Sequence, residues 1–219
     1  MKNLTEVVFI LDRSGSMEGL EDDTIGGFNS MLEKQKKVEG DVIISTVLFD
    51  HETEVIHDRV PLADVKKLTR EEYWTRGSTA LLDAIGSSIT HVKKIHKYAR
   101  EEDKPDKTLF VITTDGMENS SHLFDYHEIK KLVEAQKELG WEFIFLGANI
   151  DAIGTASHLG INADRAVNYH SDRIGTKKIF SGVSDFVSCF AAMPSENFAD
   201  SMFDNSWRKD IDEDFKKRK

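Results

Sequence analysis

The chain has 219 residues, of which 39% are hydrophobic and 31% are charged, and its formal net charge is −10. This acidic balance argues against duplex nucleic acid as a partner, because such binding requires a basic footprint on the protein. The single cysteine, Cys189, excludes an internal disulfide framework, and no apolar stretch reaches the roughly 18 residues that span a bilayer. The first residues lack the pattern of a secretory signal, so we expect a cytoplasmic protein that contacts neither nucleic acid nor membrane.

Four short apolar runs predict strands that are buried on both faces, as in the centre of a parallel sheet. These runs cover residues 7–11, 42–49, 109–112 and 143–146. The polar, β-branched segment 52–60 follows the second run after a tight junction at Asp50 and His51, which predicts an antiparallel edge strand. A weaker strand is expected near Ala166.

Between these runs, apolar residues recur at helical spacing and leave a charged face on the opposite side. The predicted helices cover residues 25–38, 81–95, 129–139 and 176–193, with a short helix near Ala152. Alternation of strands and helices predicts an α/β fold. We expect a Rossmann-like, open, mostly parallel sheet with one antiparallel edge strand and helices on both faces.

The domain organisation follows from the same pattern. We expect residues 1–203 to form a single domain, which is a common size for one α/β unit. Residues 204–219 mix charges with few apolar side chains, so we expect a charged tail that is frayed or disordered. Trp207 and Ile211 are the side chains that would dock this tail weakly.

Side chains with oxygen atoms concentrate in three segments of the chain. Asp12, Ser14 and Ser16 follow the first predicted strand at alternate positions. Thr79 precedes a predicted helix, and Asp115 follows the third apolar run. Taken singly, these are ordinary turn and cap residues. However, ligands of open α/β sheets bind at the carboxyl ends of the strands where the strand order reverses, so neighbouring strands would bring these segments together.

The donor set predicts the kind of ligand. Two carboxylates and three hydroxyls are hard oxygen donors, which select Mg²⁺, or Mn²⁺ or Ca²⁺, over zinc and copper. Two carboxylates only just neutralise a divalent ion, so an acidic residue of a protein partner could complete its coordination. The candidate metal ligands are Asp12, Ser14, Ser16, Thr79 and Asp115.

The Asp-x-Ser-x-Ser motif at residues 12–16, with Thr79 and Asp115 downstream, resembles the metal-ion-dependent adhesion site (MIDAS) of von Willebrand factor type A (VWA) domains. The surrounding segments FILDRSGSM, RGSTALLDAI and FVITTDGMEN are similar to those of bacterial and phage members that stand alone. The resemblance covers about residues 5–190, which is most of the chain.

This resemblance implies roles for the five residues. Ser14, Ser16 and Thr79 would contact the metal directly, whereas Asp12 and Asp115 would act mainly through bound waters and by orienting the hydroxyls. It also implies a divalent-cation-dependent protein-binding module, without catalysis of its own, in an intracellular scaffold or assembly. The oligomeric state stays open at this point.

The alternative function is that of a metal-dependent phosphotransferase or hydrolase of Rossmann-like fold. Asp12 is similar in position to the nucleophile of haloacid-dehalogenase-type phosphotransferases. Those enzymes need a second aspartate two residues later as the general acid, and this chain has Ser14 there. Neither a Gly-x-Ser-x-Gly elbow nor a glycine-rich phosphate-binding motif occurs in the sequence.

Two arginines, Arg13 and Arg76, flank the candidate ligands in the sequence. We interpret both as solvent-facing charges. The alternative is that they steer an acidic partner, in which case they would change the association rate and its salt dependence more than the dissociation rate.

Overall fold

The structure is a computed structural model that describes residues 3–37, 40–193 and 205–218. The strands of the described part are β1 (Leu4–Asp12), β2 (Asp41–Phe49), β3 (Thr53–Pro61), β4 (Lys107–Thr114), β5 (Glu142–Ala148) and β6 (Ala166–Tyr169). They form one sheet in the order β3-β2-β1-β4-β5-β6. β3 pairs antiparallel with β2, and the other neighbouring strands run parallel. The predicted sheet with one antiparallel edge strand is therefore confirmed.

The helices are α1 (Glu21–Gln35), α2 (Leu81–Tyr98), α3 (Tyr126–Lys137), α4 (Ala152–His158), α5 (Arg173–Ala192) and α6 (Ser206–Lys217). α1 ends at Gln35, before the predicted boundary, and Val38 lies outside the described residues. Within the described ranges, no helix combines the length and the apolar character that a bilayer crossing requires.

Both faces of the sheet are covered by helices, which explains the continuous apolar runs. Along β1, Val7 and Phe9 belong to a core shared with α1, α5 and α6. Val8 and Ile10 belong to the opposite core, shared with α2, α3 and α4. All four side chains are at most 1% exposed. Since full burial of such a side chain contributes about 1.5–3 kcal/mol, a polar residue within this run would be costly on either face.

The strand order reverses at β1, because β1 lies between β2 on one side and β4 on the other. The register pairs Leu11 of β1 with Thr113 of β4. The carboxyl ends of β1 and β4 therefore lie side by side, with Asp12 and Thr114 as their last residues. This is the place in an open α/β sheet where ligands bind.

The structure differs from the prediction for the tail. Residues 206–217 form helix α6 rather than a frayed segment. Trp207 and Ile211, four residues apart, lie on one face of α6 and are 5% and 2% exposed. The Trp207 ring packs edge-on against Phe186 of α5, with ring centroids 5.6 Å apart. Two apolar residues suffice because α5 offers Gly182, where an added Cβ would lie only 2.6 Å from the Trp207 carbonyl oxygen.

Candidate metal centre

Three hydroxyl groups from two separate loops meet at the carboxyl edge of the sheet. The Oγ atoms of Ser14 and Ser16 lie 3.1 Å apart. A Cβ atom built at Gly116 would lie 3.0 Å from Oγ1 of Thr79 and 3.1 Å from Oγ of Ser16. The same atom would lie 3.8 Å from Oγ of Ser14. The three hydroxyls thus surround a small space that exists because residue 116 has no side chain, and we call this space the hydroxyl cup.

Asp12, the last residue of β1, is held in a fixed orientation. Its Oδ1 accepts a hydrogen bond from the Ser14 backbone N–H at 2.7 Å, and its Oδ2 accepts one from Oγ1 of Thr114 at 2.6 Å. The side chain is almost completely buried. Burial raises the pKa of Asp12 from 3.8 to about 6, although the hydrogen bonds from Ser14 and Thr114 oppose the shift. The nearby negative charge of Asp115 adds to the increase in this pKa.

Asp115 has one satisfied and one unsatisfied carboxylate oxygen. Oδ2 accepts a hydrogen bond from Oγ of Ser171 at 2.9 Å. Oδ1 is buried and has no hydrogen-bond partner within the described part of the chain. A buried carboxylate oxygen without a partner is costly, and a bound cation, or a water bound to one, would remove that cost.

These observations fit a divalent cation. The donors are oxygens only, and one of them is a buried carboxylate oxygen without a partner among the described residues. The hydroxyls line the space that a Cβ of residue 116 would occupy. The structure brings Ser14, Ser16 and Thr79 to one cup, and it places Asp12 and Asp115 at the same edge of the sheet. The metal-binding role of these five residues stays a prediction.

The sequence analysis did not identify the residues that orient the candidate ligands through hydrogen bonds. Thr114 binds Asp12, and Ser171 binds Asp115. Tyr73, which is fully buried, donates its hydroxyl to the Asp12 carbonyl oxygen at 2.5 Å. Thr114 directly precedes a predicted ligand and could have been found from that position. Nothing local in the sequence points to Ser171 or Tyr73.

The interpretation of Arg13 as a solvent-facing charge is wrong. Arg13 is 1% exposed, and its Nε donates to Oδ2 of Asp50 at 2.8 Å. Its Nη1 donates to Oε2 of Glu54 at 2.7 Å. The reason is sheet pairing. Asp12 of β1 pairs with Phe49 of β2, so Arg13 and Asp50, the residues that follow them, lie side by side. Arg76 also binds Asp50, at 2.8 Å, and keeps about a third of its side chain exposed.

A second group of potential metal ligands lies beside this pair of arginines. The ligand atoms of Asp50, His51 and Glu52 lie within 4.8 Å of one another. However, Oδ2 of Asp50 already accepts from both Arg13 and Arg76, and Oδ1 accepts from the Glu52 backbone N–H at 2.9 Å. Two guanidinium groups on one carboxylate oppose a further cation. We therefore interpret this group as part of an ion-pair network centred on the buried carboxylate of Asp50.

No family model and no curated protein sequence matches the chain. Solved structures do resemble it. The vWF domain of the type V pili tip protein Mfa5 from Porphyromonas gingivalis aligns with a TM-score of 0.62 and 10% identity, over 89% of this chain and 98% of that one. The manganese-loaded Plasmodium vivax TRAP protein aligns with a TM-score of 0.60 and 15% identity, over 88% of this chain and 75% of that one.

Proximal thread matrix protein 1 of the mussel byssus, solved with a zinc-occupied MIDAS motif, is also similar. Its TM-score is 0.58 at 16% identity, over 84% of this chain and 46% of that one. This chain thus spans about half of the length of the mussel protein. At such low identities, these similarities establish a shared fold. The metals are properties of those two proteins.

Proposed function

We propose that this chain, whose fold is that of von Willebrand factor A domains, is a divalent-cation-dependent protein-binding module. The cation would be held by Ser14, Ser16 and Thr79 together with Asp12 and Asp115. An acidic residue of a protein partner would complete its coordination. A scaffold or assembly role in the cytoplasm, without catalysis, is the setting that we propose for this activity.

The observation that carries the proposal is the Oδ1 atom of Asp115, which has no hydrogen-bond partner among the described residues. This oxygen is buried at the edge of the sheet, in the residue that precedes Gly116 and the hydroxyl cup. Hydrogen bonds satisfy both oxygens of Asp12, so of the two candidate carboxylates only Asp115 has an oxygen without a partner in the described part of the chain. A cation at the cup would give this oxygen a partner, directly or through a bound water, and would offset the repulsion between the two carboxylates.

Each ligand residue has a distinct part in this account. The hydroxyls of Ser14, Ser16 and Thr79 would supply neutral oxygen ligands. Asp12 fixes the loop between β1 and α1 by accepting the Ser14 N–H, and its charge would balance the ion. When bound, the cation would act as an electrophile with a free coordination position that accepts a carboxylate. Because the direct ligands would be neutral hydroxyls and the two carboxylates would act mainly through waters, a partner carboxylate would be the one anionic group in direct contact with the ion.

The environment of Asp12 supports binding over phosphotransfer. A nucleophilic carboxylate must reach its substrate, but Asp12 is 1% exposed and both of its oxygens accept hydrogen bonds from the protein. Ser14 occupies the position in which phosphotransferases of the type considered above carry their acid. Turnover of p-nitrophenyl phosphate that disappears in Asp12→Ala would instead favour the metal-dependent phosphotransferase or hydrolase.

Metal binding tests the first half of the proposal. Thermal unfolding and titration calorimetry with Mn²⁺, Mg²⁺, Ca²⁺ and Zn²⁺ would be compared for wild type and Asp115→Asn. The matched control is Asp58→Asn, which removes an exposed carboxylate that pairs with His91. At a hundred times the dissociation constant, the metal should stabilise the wild type by about 2.7 kcal/mol, or about 5–10 °C. We expect the control to keep this shift and Asp115→Asn to lose it.

Partner binding tests the second half. Water-proton relaxation by protein-bound Mn²⁺ reports whether the ion keeps exchangeable water, and acetate serves as a minimal carboxylate probe. We expect acetate to lower the relaxation enhancement of the wild-type complex as it replaces water. Affinity capture with wild type and Asp115→Asn, each with and without EDTA, would then identify partners. A partner that binds equally well under all four conditions would contradict the proposal.

A further inference from the structure

The helix that follows Thr79 lacks a cap of its own. α2 begins after Ala80, whose side chain accepts no hydrogen bond, so the first backbone N–H groups of the helix need partners from elsewhere. Glu118 supplies one, because its Oε2 accepts from the Leu82 N–H at 2.9 Å. Ser121 supplies another, because its Oγ accepts from the Asp83 N–H at 3.1 Å. Both caps come from the connection between β4 and α3.

This connection, residues 115–125, is bound in return by the first turn of α2. The carboxylate of Asp83 accepts three consecutive backbone N–H groups, those of His122, Leu123 and Phe124, at 2.9, 2.8 and 3.0 Å. The start of α2 and the loop after Asp115 therefore support each other from both sides. Each would lose hydrogen bonds if the other moved.

Asn119 connects the loop between β4 and α3 to Thr79, a candidate metal ligand. Its side-chain Oδ1 accepts from the Thr79 backbone N–H at 2.9 Å, and its backbone N–H donates to the Thr79 carbonyl oxygen at 3.1 Å. Thr79 is thus held on both of its backbone groups by one residue. Asn119 lies four positions after Asp115. Its hydrogen bonds to Thr79 therefore link two candidate ligands that are 36 residues apart in sequence.

We propose that Asn119 is the positioning residue that sets the Thr79 hydroxyl in the hydroxyl cup. This inference rests on the proposed metal-binding function. Ligand distances in a well-formed metal site lie within about 0.2 Å of their standard values. Residues that orient ligands without touching the ion typically change metal affinity by about 10–100-fold when they are replaced. Asn119 is exposed, so its replacement leaves no buried cavity and its effect would fall on the site rather than on the core.

The test compares three variants by Mn²⁺ titration, with the melting temperature in EDTA measured in parallel. Asn119→Leu removes the side-chain acceptor, whereas Asn119→Asp retains it. The control is Asp125→Ala at the far end of the same connection, where Asp125 caps α3 by accepting from the Glu128 N–H at 2.8 Å. We expect Asn119→Leu to weaken Mn²⁺ binding by about tenfold or more. Asn119→Asp should bind at least as tightly as wild type, and Asp125→Ala should lose thermal stability but keep its affinity.

A double-mutant cycle separates positioning from general support of the loop. In a Thr79→Ala background the hydroxyl to be positioned is gone, so Asn119→Leu should change the dissociation constant by no more than about twofold. If Asn119→Leu does not fold, Asn119→Ala replaces it, because it also lacks the acceptor and adds no bulk.

The outcomes distinguish the inference from the function on which it rests. Wild-type protein that binds no Mn²⁺ would overturn the proposed function. Wild-type protein that binds Mn²⁺, with Asn119→Leu binding it equally tightly, would overturn the role of Asn119 alone. An equal loss of affinity in Asp125→Ala, or an unchanged tenfold effect in the Thr79→Ala background, would also overturn that role.

Discussion

The replacement Gly116→Ala tests the hydroxyl cup without removing any proposed ligand. Gly116 is not among the glycines with a positive φ, so its backbone conformation is open to alanine. The new methyl group would lie 3.0 Å from Oγ1 of Thr79 and 3.1 Å from Oγ of Ser16, and the hydroxyls would have to move by a few tenths of an ångström. Mg²⁺ requires oxygens at about 2.0–2.1 Å, and ligand distances in well-formed sites lie within about 0.2 Å of such values. This displacement is therefore large enough to weaken metal binding.

The expected size of the effect follows from linkage. If Gly116→Ala weakens metal binding tenfold, then at a hundred times the wild-type dissociation constant the stabilisation by metal falls from about 2.7 to about 1.4 kcal/mol. For a domain of this size, the metal-induced rise in melting temperature should shrink by about 3–5 °C. In EDTA the melting temperature should stay close to that of wild type, because the gain of about 0.4–1 kcal/mol from restricting the unfolded chain opposes the cost of moving the hydroxyls.

The assay is thermal unfolding over a Mn²⁺ or Mg²⁺ titration, supported by calorimetry. Gly26→Ala is the matched control, because a Cβ at Gly26 in α1 would meet nothing within 4 Å. This control should keep the full metal-induced shift. An unchanged shift in Gly116→Ala would refute the reasoning, since the ion could not then lie among the three hydroxyls.

Three further predictions concern charge and packing. In EDTA at pH 7.5, Asp12→Asn should raise the melting temperature, because the charged form of Asp12 destabilises the fold by about 3 kcal/mol if its pKa rises from 3.8 to about 6. The carboxyl binds its proton more tightly in the folded state, so wild-type stability should fall as the pH rises from about 4 through about 6, and the advantage of Asp12→Asn over wild type should vanish towards pH 4. A constant advantage across this range, measured by urea unfolding, would show that Asp12 is not the group that titrates. Trp207→Ala should cost about 3–5 kcal/mol in urea unfolding, and a loss below about 1 kcal/mol would show that α6 is not docked on α5.

The central strands and the sheet edge that carries the candidate ligands could be predicted because they depend on strong local signals. Residues 7–11 and 109–112 are apolar at every position, and such short runs are typical of strands covered on both faces. A carboxylate that follows such a run must emerge at the end of the strand, and this places Asp12 and Asp115 at one edge once β1 and β4 are neighbours. The pairing of β1 with β4 is long-range and could be stated from the sequence only as a condition.

The direction of Arg13 depends on a distant residue and could not be read from its own neighbours. Its position between two candidate ligands suggested exposure. In the sheet, however, β2 ends beside β1, and Asp50 accepts the guanidinium of Arg13. The pairing of two strands, rather than the local sequence, decides whether this charge is buried.

Helix α6 illustrates the same limit for packing. Its sequence SWRKDIDEDFKK has only a few apolar residues, and this weak pattern predicted a solvated tail. The stability of α6 comes from the surface that receives it, where Gly182 of α5 leaves room for the backbone of Trp207.

The pairing of Asn119 with Thr79 was missed for a similar reason, because it depends on the path of the loop between β4 and α3.

A crystal structure of the protein grown with Mn²⁺ would test the central claim most directly, because anomalous scattering locates the ion without reference to the protein. The account predicts one strong anomalous peak in the hydroxyl cup, within coordination distance of the hydroxyls of Ser14, Ser16 and Thr79. A protein that binds Mn²⁺ in solution but shows its peak beside Asp50 and Glu52, with none in the cup, would contradict the account.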